Sequence, residues 1–175
     1  RFNGTTPYNP TRDTSIKDTG FYAFDRMRFG GPNEDMFSVL LGIRKSIYKE
    51  TQETVAGPSI ETFSDKPVSL SGGIVFKPKE WISTYATYIE GLESTPGAPI
   101  GTENQGEILP ASNSKQYEGG IKIEPQKGLL FTAAYFDISR QLTYTNAANF
   151  FVKDGKATYR GFEFSLTGEV TPELS

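Results

Sequence analysis

A strict alternation of apolar and polar residues, repeated in run after run, is the feature that most constrains this sequence. In one run every second residue is large and apolar: Phe37, Val39, Leu41, Ile43. Successive side chains of a β-strand point to opposite faces, so a period of two predicts a strand with one apolar face. A helix, with its period of 3.6, would scatter the intervening polar residues around every side. We find no segment with clear helical patterning, so the sequence predicts an all-β fold.

About seven such runs follow one another, each about ten residues long, which exceeds the usual strand length of roughly five to six. Three further apolar faces are Val68, Leu70, Ile74, Phe76; Tyr117, Ile121, Ile123; and Phe162, Phe164, Leu166. Less regular runs cover residues 20–29, 82–92 and 129–140. We expect the apolar residues of 37–43 and 162–166 to share one face of a continuous antiparallel sheet. The polar residues expected on the other face are Glu118, Lys122, Glu163 and Ser165.

The segments between these runs alternate between short and long. The short segments are residues 30–35, 77–81 and 125–128. The long segments are residues 49–66, 93–114 and 143–156. Gly, Pro, Asn and Asp in the short segments supply the backbone angles that tight turns need. Such alternation is typical of an antiparallel meander, so we expect the short segments at one rim of the sheet and the long ones at the other.

The composition excludes most forms of catalysis. The chain has no Cys and no His, which removes thiol nucleophiles, disulfides, cysteine-based metal sites and serine–histidine catalysis. Its net charge of −3 and the lack of a basic run argue against nucleic acid as a partner. We therefore expect a protein that is not an enzyme and that has no resident cofactor or metal.

Two architectures accept long antiparallel strands with one apolar face. A soluble β-sandwich buries that face in a core, whereas a transmembrane β-barrel turns it toward lipid and keeps the polar face toward a wet lumen. Strands of about ten residues suit a tilted membrane strand, and aromatic residues near strand ends suit its interfacial belts. These residues are Phe21, Tyr22, Phe29, Tyr48, Trp81, Tyr85, Tyr88 and Tyr159. Both features favour the barrel, and the sandwich is the alternative.

Three consecutive stretches carry a more specific signal: VSLSGGIVFKPKEWISTYATYIEGLE, KQYEGGIKIEPQKGLLFTAAYFDISRQ and YRGFEFSLTGEVTPELS. The first has a Lys-Pro turn followed by Trp and a Tyr-rich strand, at residues 77–88. The second has a YE-G-K-EP strand at residues 117–125 and an AA-FDI-R strand at residues 133–140. The third has the pattern RG-E-SL-GE-TP at residues 160–172. In this order and spacing, the chain resembles the barrel of TonB-dependent siderophore receptors over most of its length.

The resemblance implies a 22-stranded transmembrane β-barrel in the outer membrane of a Gram-negative bacterium, closed by an amino-terminal plug domain. It also implies import of ferric siderophores, as cargo and not as cofactor, with energy relayed by the TonB complex. Residues 1–175 show no plug, no TonB-contacting segment and no closing carboxy-terminal strand, so we expect a partial barrel domain. The expected partners are a ferric siderophore, outer-membrane lipid and, through parts missing here, TonB. Another cargo of the same family, such as cobalamin or a glycan, is the alternative.

The sequence assigns no residue to ligand binding, but it offers candidates. Four tyrosines either line a siderophore site or belong to the interfacial belt and wall: Tyr85, Tyr88, Tyr117, Tyr135. Four carboxylates are Glu118, Glu124, Glu163 and Glu169. They suit a polar lumen wall, balanced by Lys122 and Arg44, better than acid–base or calcium chemistry.

Two further sets of candidates remain. Polar residues on the long segments that could touch a ligand are Glu103, Asn104, Gln105 and Asn113. Arg160 is either a ligand arginine or part of a strand start where Gly161 relieves crowding.

Overall fold

The computed structural model describes residues 12–30, 36–54 and 60–168. These parts of the chain form eight strands: β1 (Arg12–Phe29), β2 (Phe37–Thr54), β3 (Ile60–Asp65), β4 (Val68–Lys79), β5 (Ile82–Glu93), β6 (Ser112–Gln126), β7 (Leu129–Thr145) and β8 (Phe151–Gly168). No helix within these ranges is long and apolar enough to cross a membrane. The all-β prediction is confirmed.

All eight strands belong to one antiparallel sheet whose path is β1-β2-β4-β5-β6-β7-β8. Strand β3 lies off this path because β2 is long enough to pair with both β3 and β4. Only Lys66 and Pro67 separate these two strands. Pro67 has no N–H to donate to the neighbouring strand. Its carbonyl oxygen accepts a hydrogen bond from the Ser46 N–H of β2 at 3.0 Å. Strands β3 and β4 therefore act as one interrupted strand, and the predicted meander of about seven strands is confirmed.

The strands extend further toward one rim than the sequence pattern predicts. Strands β7 and β8 have 17 and 18 residues, and residues 146–150 connect them where a loop over 143–156 was expected. The expected loop at 49–66 is mostly strand, formed by the end of β2 and by β3, with residues 55–59 outside the described part of the chain. These expectations are wrong because the strand extensions contain few apolar residues. Residues 49–54 are all polar, and Leu142 is the one aliphatic residue in 141–145, so the sequence shows no clear apolar face there although the backbones pair.

The strand register places the apolar side chains on one face across the sheet. One row of directly paired residues consists of Val39, Ile74, Ala86, Gly119, Tyr135 and Phe162. The adjacent row, on the opposite face, consists of Ser38, Val75, Tyr85, Gly120, Ala134 and Glu163. The apolar residues of 37–43 and 162–166 therefore share a face, as predicted. The four polar residues predicted for the other face lie there too. We call these the apolar face and the polar face.

Nothing in the described chain covers the apolar face. Phe162 and Phe164 are each 71% exposed, and no large side chain among the described residues is fully buried. The accessible surface is 12706 Å², whereas a compact monomer of 19.3 kDa exposes about 8500 Å². Since no second sheet packs on the first in the described ranges, the soluble sandwich alternative is wrong.

The connections sort to the two rims as predicted. Neighbouring strands are antiparallel, so the β1–β2, β4–β5 and β6–β7 connections lie at one rim and the β2–β3, β5–β6 and β7–β8 connections at the other. The predictions for residues 31–35 and 55–59 lie outside the described residues. The first rim has tight turns, such as the one at Gly128 with φ of +87°. The second, here called the loop rim, carries residues 94–111, close to the expected 93–114.

Candidate functional site

Toward the loop rim, the apolar face ends in a row of aromatic side chains. The ring centroids of Tyr88 and Tyr117 are 4.8 Å apart, and those of Tyr135 and Phe162 are 5.1 Å apart. An aromatic row at the border of an apolar band is where a membrane barrel has its interfacial belt. Three of the four candidate tyrosines therefore have the geometry of a belt and face away from the polar face.

Ion pairs follow the aromatic row directly on the same face. The Arg160 Nε donates to the Asp137 Oδ2 at 2.6 Å, and the Lys115 Nζ lies 4.0 Å from the Glu90 Oε1. These pairs mark the level at which the apolar surface gives way to a polar one. Arg160 is thus engaged on the apolar side of the wall, and its geometry does not support the ligand-arginine interpretation.

The polar face carries a hydrogen-bonded group centred on Glu118. The Tyr85 hydroxyl donates to one carboxylate oxygen at 2.7 Å, and the Gln116 amide donates to the other at 3.1 Å. The Lys122 ammonium lies 5.3 Å from the centroid of the Tyr85 ring. Both oxygens of the carboxylate are occupied and a cation is near, which suits a structured polar wall better than a free general base. Tyr85 is the one candidate tyrosine on this face.

The remaining carboxylates are dispersed. The Glu124 Oε1 accepts from the Gly128 N–H at 3.0 Å and so closes the β6–β7 turn. Glu169 lies outside the described residues. Arg44, expected to balance the wall carboxylates, pairs with Asp18 at 2.9 Å. In the ranges that the structure describes, no group of three or more His, Cys, Asp or Glu residues is placed to hold a metal ion.

Two glycines on the polar face make room for aromatic rings. A Cβ on Gly120 would lie 2.7 Å from the Tyr85 ring, and one on Gly161 would lie 2.7 Å from the Phe136 ring. Each ring therefore lies across a glycine of the neighbouring strand, an arrangement that pins the register. Gly161 relieves crowding as expected, but it does so in the middle of β8 and not at a strand start.

The β5–β6 loop (residues 94–111) is an ordered part of the loop rim. It folds back on itself as a small hairpin, in which Gly97 pairs with Ile108 and the Ala98 N–H donates to the Glu107 carbonyl at 2.7 Å. Ala98 and Ile108 are buried in it. The loop is therefore internally structured.

The β7–β8 loop (residues 146–150) is closed by its first residue. The Asn146 Oδ1 accepts from the N–H groups of Ala148 and Phe150, both at 3.0 Å. At the base of the loop, a hydrogen bond to the Asp154 carboxylate raises the pKa of the Tyr144 hydroxyl. Both contacts hold this connection in a defined shape.

The four polar loop candidates differ in their contacts. The Asn104 side chain bonds to the backbone of Phe151 across the loop rim, and the Gln105 Oε1 accepts from the Gly101 N–H at 3.1 Å within its own loop. Glu103 is exposed, and Asn113, the second residue of β6, has a buried Oδ1 that lacks a hydrogen-bond partner among the described residues. The sequence reasoning missed Asn146 and Asn149, although asparagines between two strands are a signal for a turn.

An uncovered apolar face bordered by aromatic and charged rows, a polar opposite face and two unlike rims define the wall of a transmembrane β-barrel. A family model described as "TonB dependent receptor-like, beta-barrel" matches residues 1–175. The chain belongs to this family, and its place is the outer membrane of a Gram-negative bacterium.

Curated relatives match nearly the whole chain but only a part of themselves. The ferrichrome receptor FcuA of Yersinia enterocolitica is 27% identical over 173 residues, which cover 95% of this chain and 22% of the receptor. The ferrichrome outer membrane transporter/phage receptor of Escherichia coli K12 is 29% identical over 182 residues, which cover 99% of the chain and 23% of the transporter. The chain thus spans less than a quarter of the length of these relatives.

Solved structures contain the same sheet. BauA, the ferric preacinetobactin receptor from Acinetobacter baumannii, superposes with a TM-score of 0.76 at 27% identity, over 92% of this chain and 24% of BauA. The closed form of the ferric-catecholate import receptor Fiu from E. coli K12 gives a TM-score of 0.72 at 19% identity, over 92% of this chain and 26% of Fiu. The second likeness concerns the fold alone.

Proposed function

We propose that residues 1–175 form part of the wall and loop rim of a receptor that imports ferric siderophores across the outer membrane. The observation that carries the proposal is the family match along the whole chain, together with relatives named as ferrichrome and ferric-pyoverdine receptors. In this proposal the ferric siderophore is cargo and the chain catalyses no reaction. The plug, the remaining strands of a 22-stranded barrel and the segment that contacts TonB belong to other parts of the protein.

The geometry supports a different role for each of three surfaces: the apolar face, the polar face and the loop rim. The apolar face, ending at Tyr88, Tyr117 and Tyr135, is suited to contact lipid. The polar face, with Tyr85 bound to Glu118, is suited to line a hydrated lumen. The ordered loops of the loop rim would then face the medium from which cargo arrives.

Uptake measurements on the whole protein test this proposal. We expect deletion of its gene to abolish uptake of one class of ⁵⁵Fe-labelled siderophore, and expect the wild-type gene to restore it. Deletion of tonB in the complemented strain should abolish that uptake again, because import depends on energy from the inner membrane. Unchanged uptake across a panel of hydroxamate, catecholate and mixed siderophores, with loss of cobalamin or oligosaccharide uptake, would instead establish the alternative cargo.

A further inference from the structure

The two loops of the loop rim are joined by one asparagine from each. Asn104 in the β5–β6 loop donates from Nδ2 to the Phe151 carbonyl at 2.9 Å, and its Oδ1 accepts from the Phe151 N–H at 2.8 Å. Asn149 in the β7–β8 loop donates from Nδ2 to the Gly101 carbonyl at 2.8 Å. The Asn149 carbonyl also accepts from the Glu103 N–H at 2.9 Å. Asn149 thus ties its loop to the backbone of the β5–β6 loop, and Asn104 ties its loop to Phe151, the first residue of β8, which directly follows the β7–β8 loop.

The chemistry of these contacts requires an amide. Asn104 binds both backbone groups of a single residue, as a neighbouring β-strand would, and a carboxylate could accept from the N–H but could not donate to the carbonyl. The Asn104 Nδ2 also donates to the Glu107 Oε2 at 2.8 Å, so a negative charge at this position would face a second one. Asn149 has φ of +61°, a left-handed conformation that asparagine tolerates better than most residues.

We call the contacts between the two loops the junction. Residues other than the two asparagines also contribute to it. Lys153 in β8 extends its ammonium to the carbonyls of Pro110 and Ala111, at the end of the β5–β6 loop. Phe151, whose backbone Asn104 binds, is only 7% exposed although it begins a strand next to the rim. The junction is therefore partly shielded from water, where a lost hydrogen bond costs more than at an open surface.

We propose that the β5–β6 and β7–β8 loops move as one body, and that Asn104 is the positioning residue that couples them. Two polar loops without this coupling would sample many relative arrangements, and a ligand would have to order them on binding. Joined, they present a single preordered surface. Only the consequence for cargo rests on the proposed function; the coupling itself does not.

Spin-label distances in the full-length protein test the coupling directly. Residues 1–175 contain no Cys, so labels can be attached through Ile100→Cys, at a position 90% exposed, and Ala147→Cys, also exposed, after replacement of any cysteine elsewhere. We expect one narrow distance distribution in the otherwise wild-type receptor without cargo. Asn104→Asp, which preserves size, should broaden it at least twofold, because the carboxylate cannot donate to Phe151. A wild-type distribution as broad as that of the variant would overturn the proposal.

Asn146→Asp is a matched control. It makes the same change of charge a few residues from the junction, but Asn146 uses only its Oδ1 as an acceptor, which an aspartate retains. We expect its distance distribution to stay narrow. Equal broadening in both variants would assign the effect to charge and would overturn the role of Asn104. Both variants are compared only at wild-type levels in the outer membrane, and Asn104→Ala gives a second, uncharged disruption.

Affinity measurements test whether the coupling of the two loops affects cargo binding. If the receptor binds a ferric siderophore, Asn104→Asp should weaken the apparent affinity about threefold to tenfold, because only a fraction of molecules has the loops in the binding arrangement. Asn146→Asp should leave the affinity unchanged. A broad distance distribution with wild-type affinity would overturn the consequence for cargo and keep the coupling. If the wild-type receptor binds no siderophore, the proposed function fails, while the distances still decide the coupling.

Discussion

At the scale of single residues, Gly120 determines the shape of the polar wall. A Cβ at this position would lie 2.7 Å from the Tyr85 ring and 2.8 Å from the Ala133 carbonyl oxygen. The ring can rotate away, but the carbonyl belongs to the ladder between β6 and β7 and cannot move alone. We expect Gly120→Ala to destabilise the whole receptor by about 1–3 kcal/mol, as overpacking usually does. Denaturant unfolding in detergent measures this change.

Gly119→Ala provides the control for this prediction. Gly119 is the adjacent residue on the apolar face, and its Cβ would meet only the Tyr85 carbonyl oxygen at 3.7 Å, an ordinary contact. We expect a change within about 0.5 kcal/mol, as for other substitutions away from packed groups. Equal destabilisation by the two substitutions would show that crowding against Tyr85 is not the reason for a glycine at position 120.

At the scale of one strand, β8 separates lipid from lumen residue by residue. Phe164 lies on the apolar face, opposite Ala133, and Ser165 lies on the polar face, opposite Thr132. We expect Phe164→Lys to destabilise the folded receptor in a bilayer by about 2–4 kcal/mol, because it places an ammonium in hydrocarbon near the bilayer centre. Reversible folding into lipid vesicles measures this free energy.

Ser165→Lys is the matched control on the same strand. Its ammonium would point toward the polar face, where Lys122 already shows that a cation is accommodated. We expect little change in the folding free energy. If Ser165→Lys were the more damaging substitution, the assignment of the two faces to lumen and lipid would be inverted, since neighbouring residues of a strand point to opposite sides.

At the scale of the whole molecule, these 175 residues form a single sheet with an uncovered apolar face. Its strands β1 and β8 are the two edges of the sheet, and their outer backbone groups have no strand neighbour among the described residues. Hydrocarbon cannot solvate unpaired backbone groups, and water disfavours an apolar surface of this size. We expect residues 1–175, expressed alone, to form no stable monomer and no tight complex with a siderophore. Size-exclusion chromatography with light scattering and titration with a ferric siderophore panel measure both properties.

The same two measurements can contradict the expectation that the isolated segment is unstable as a monomer. A monodisperse monomer in water without detergent, binding a siderophore with micromolar or better affinity, would contradict this expectation. Such a monomer would require that the apolar face be hidden by a rearrangement of the sheet. Self-association or a need for detergent would agree with a segment that takes its stability from the other strands of a barrel.

The two faces of the sheet follow from the amino-acid sequence alone. Alternation identified the apolar and polar sides of residues 37–43 and 162–166, and the register confirmed them, because the direction of each side chain follows from its parity along a strand. The same rule separates Tyr85 from Tyr88, which are three positions apart and so face opposite sides. The even position of Glu118 in β6 likewise predicts its place on the polar face, without knowledge of its hydrogen-bond partners.

The ends of the strands and the contacts that hold the loop rim depend instead on residues that are distant in the chain. The extension of β2 over residues 49–54 is polar on both sides, so its pairing depends on the neighbouring strand and not on a local pattern. Asn104 and Phe151 are 47 residues apart, and nothing in either loop alone indicates that they meet. Side-chain alternation is a property of the nearest neighbours in the chain, whereas a contact between two loops requires the register of every strand between them.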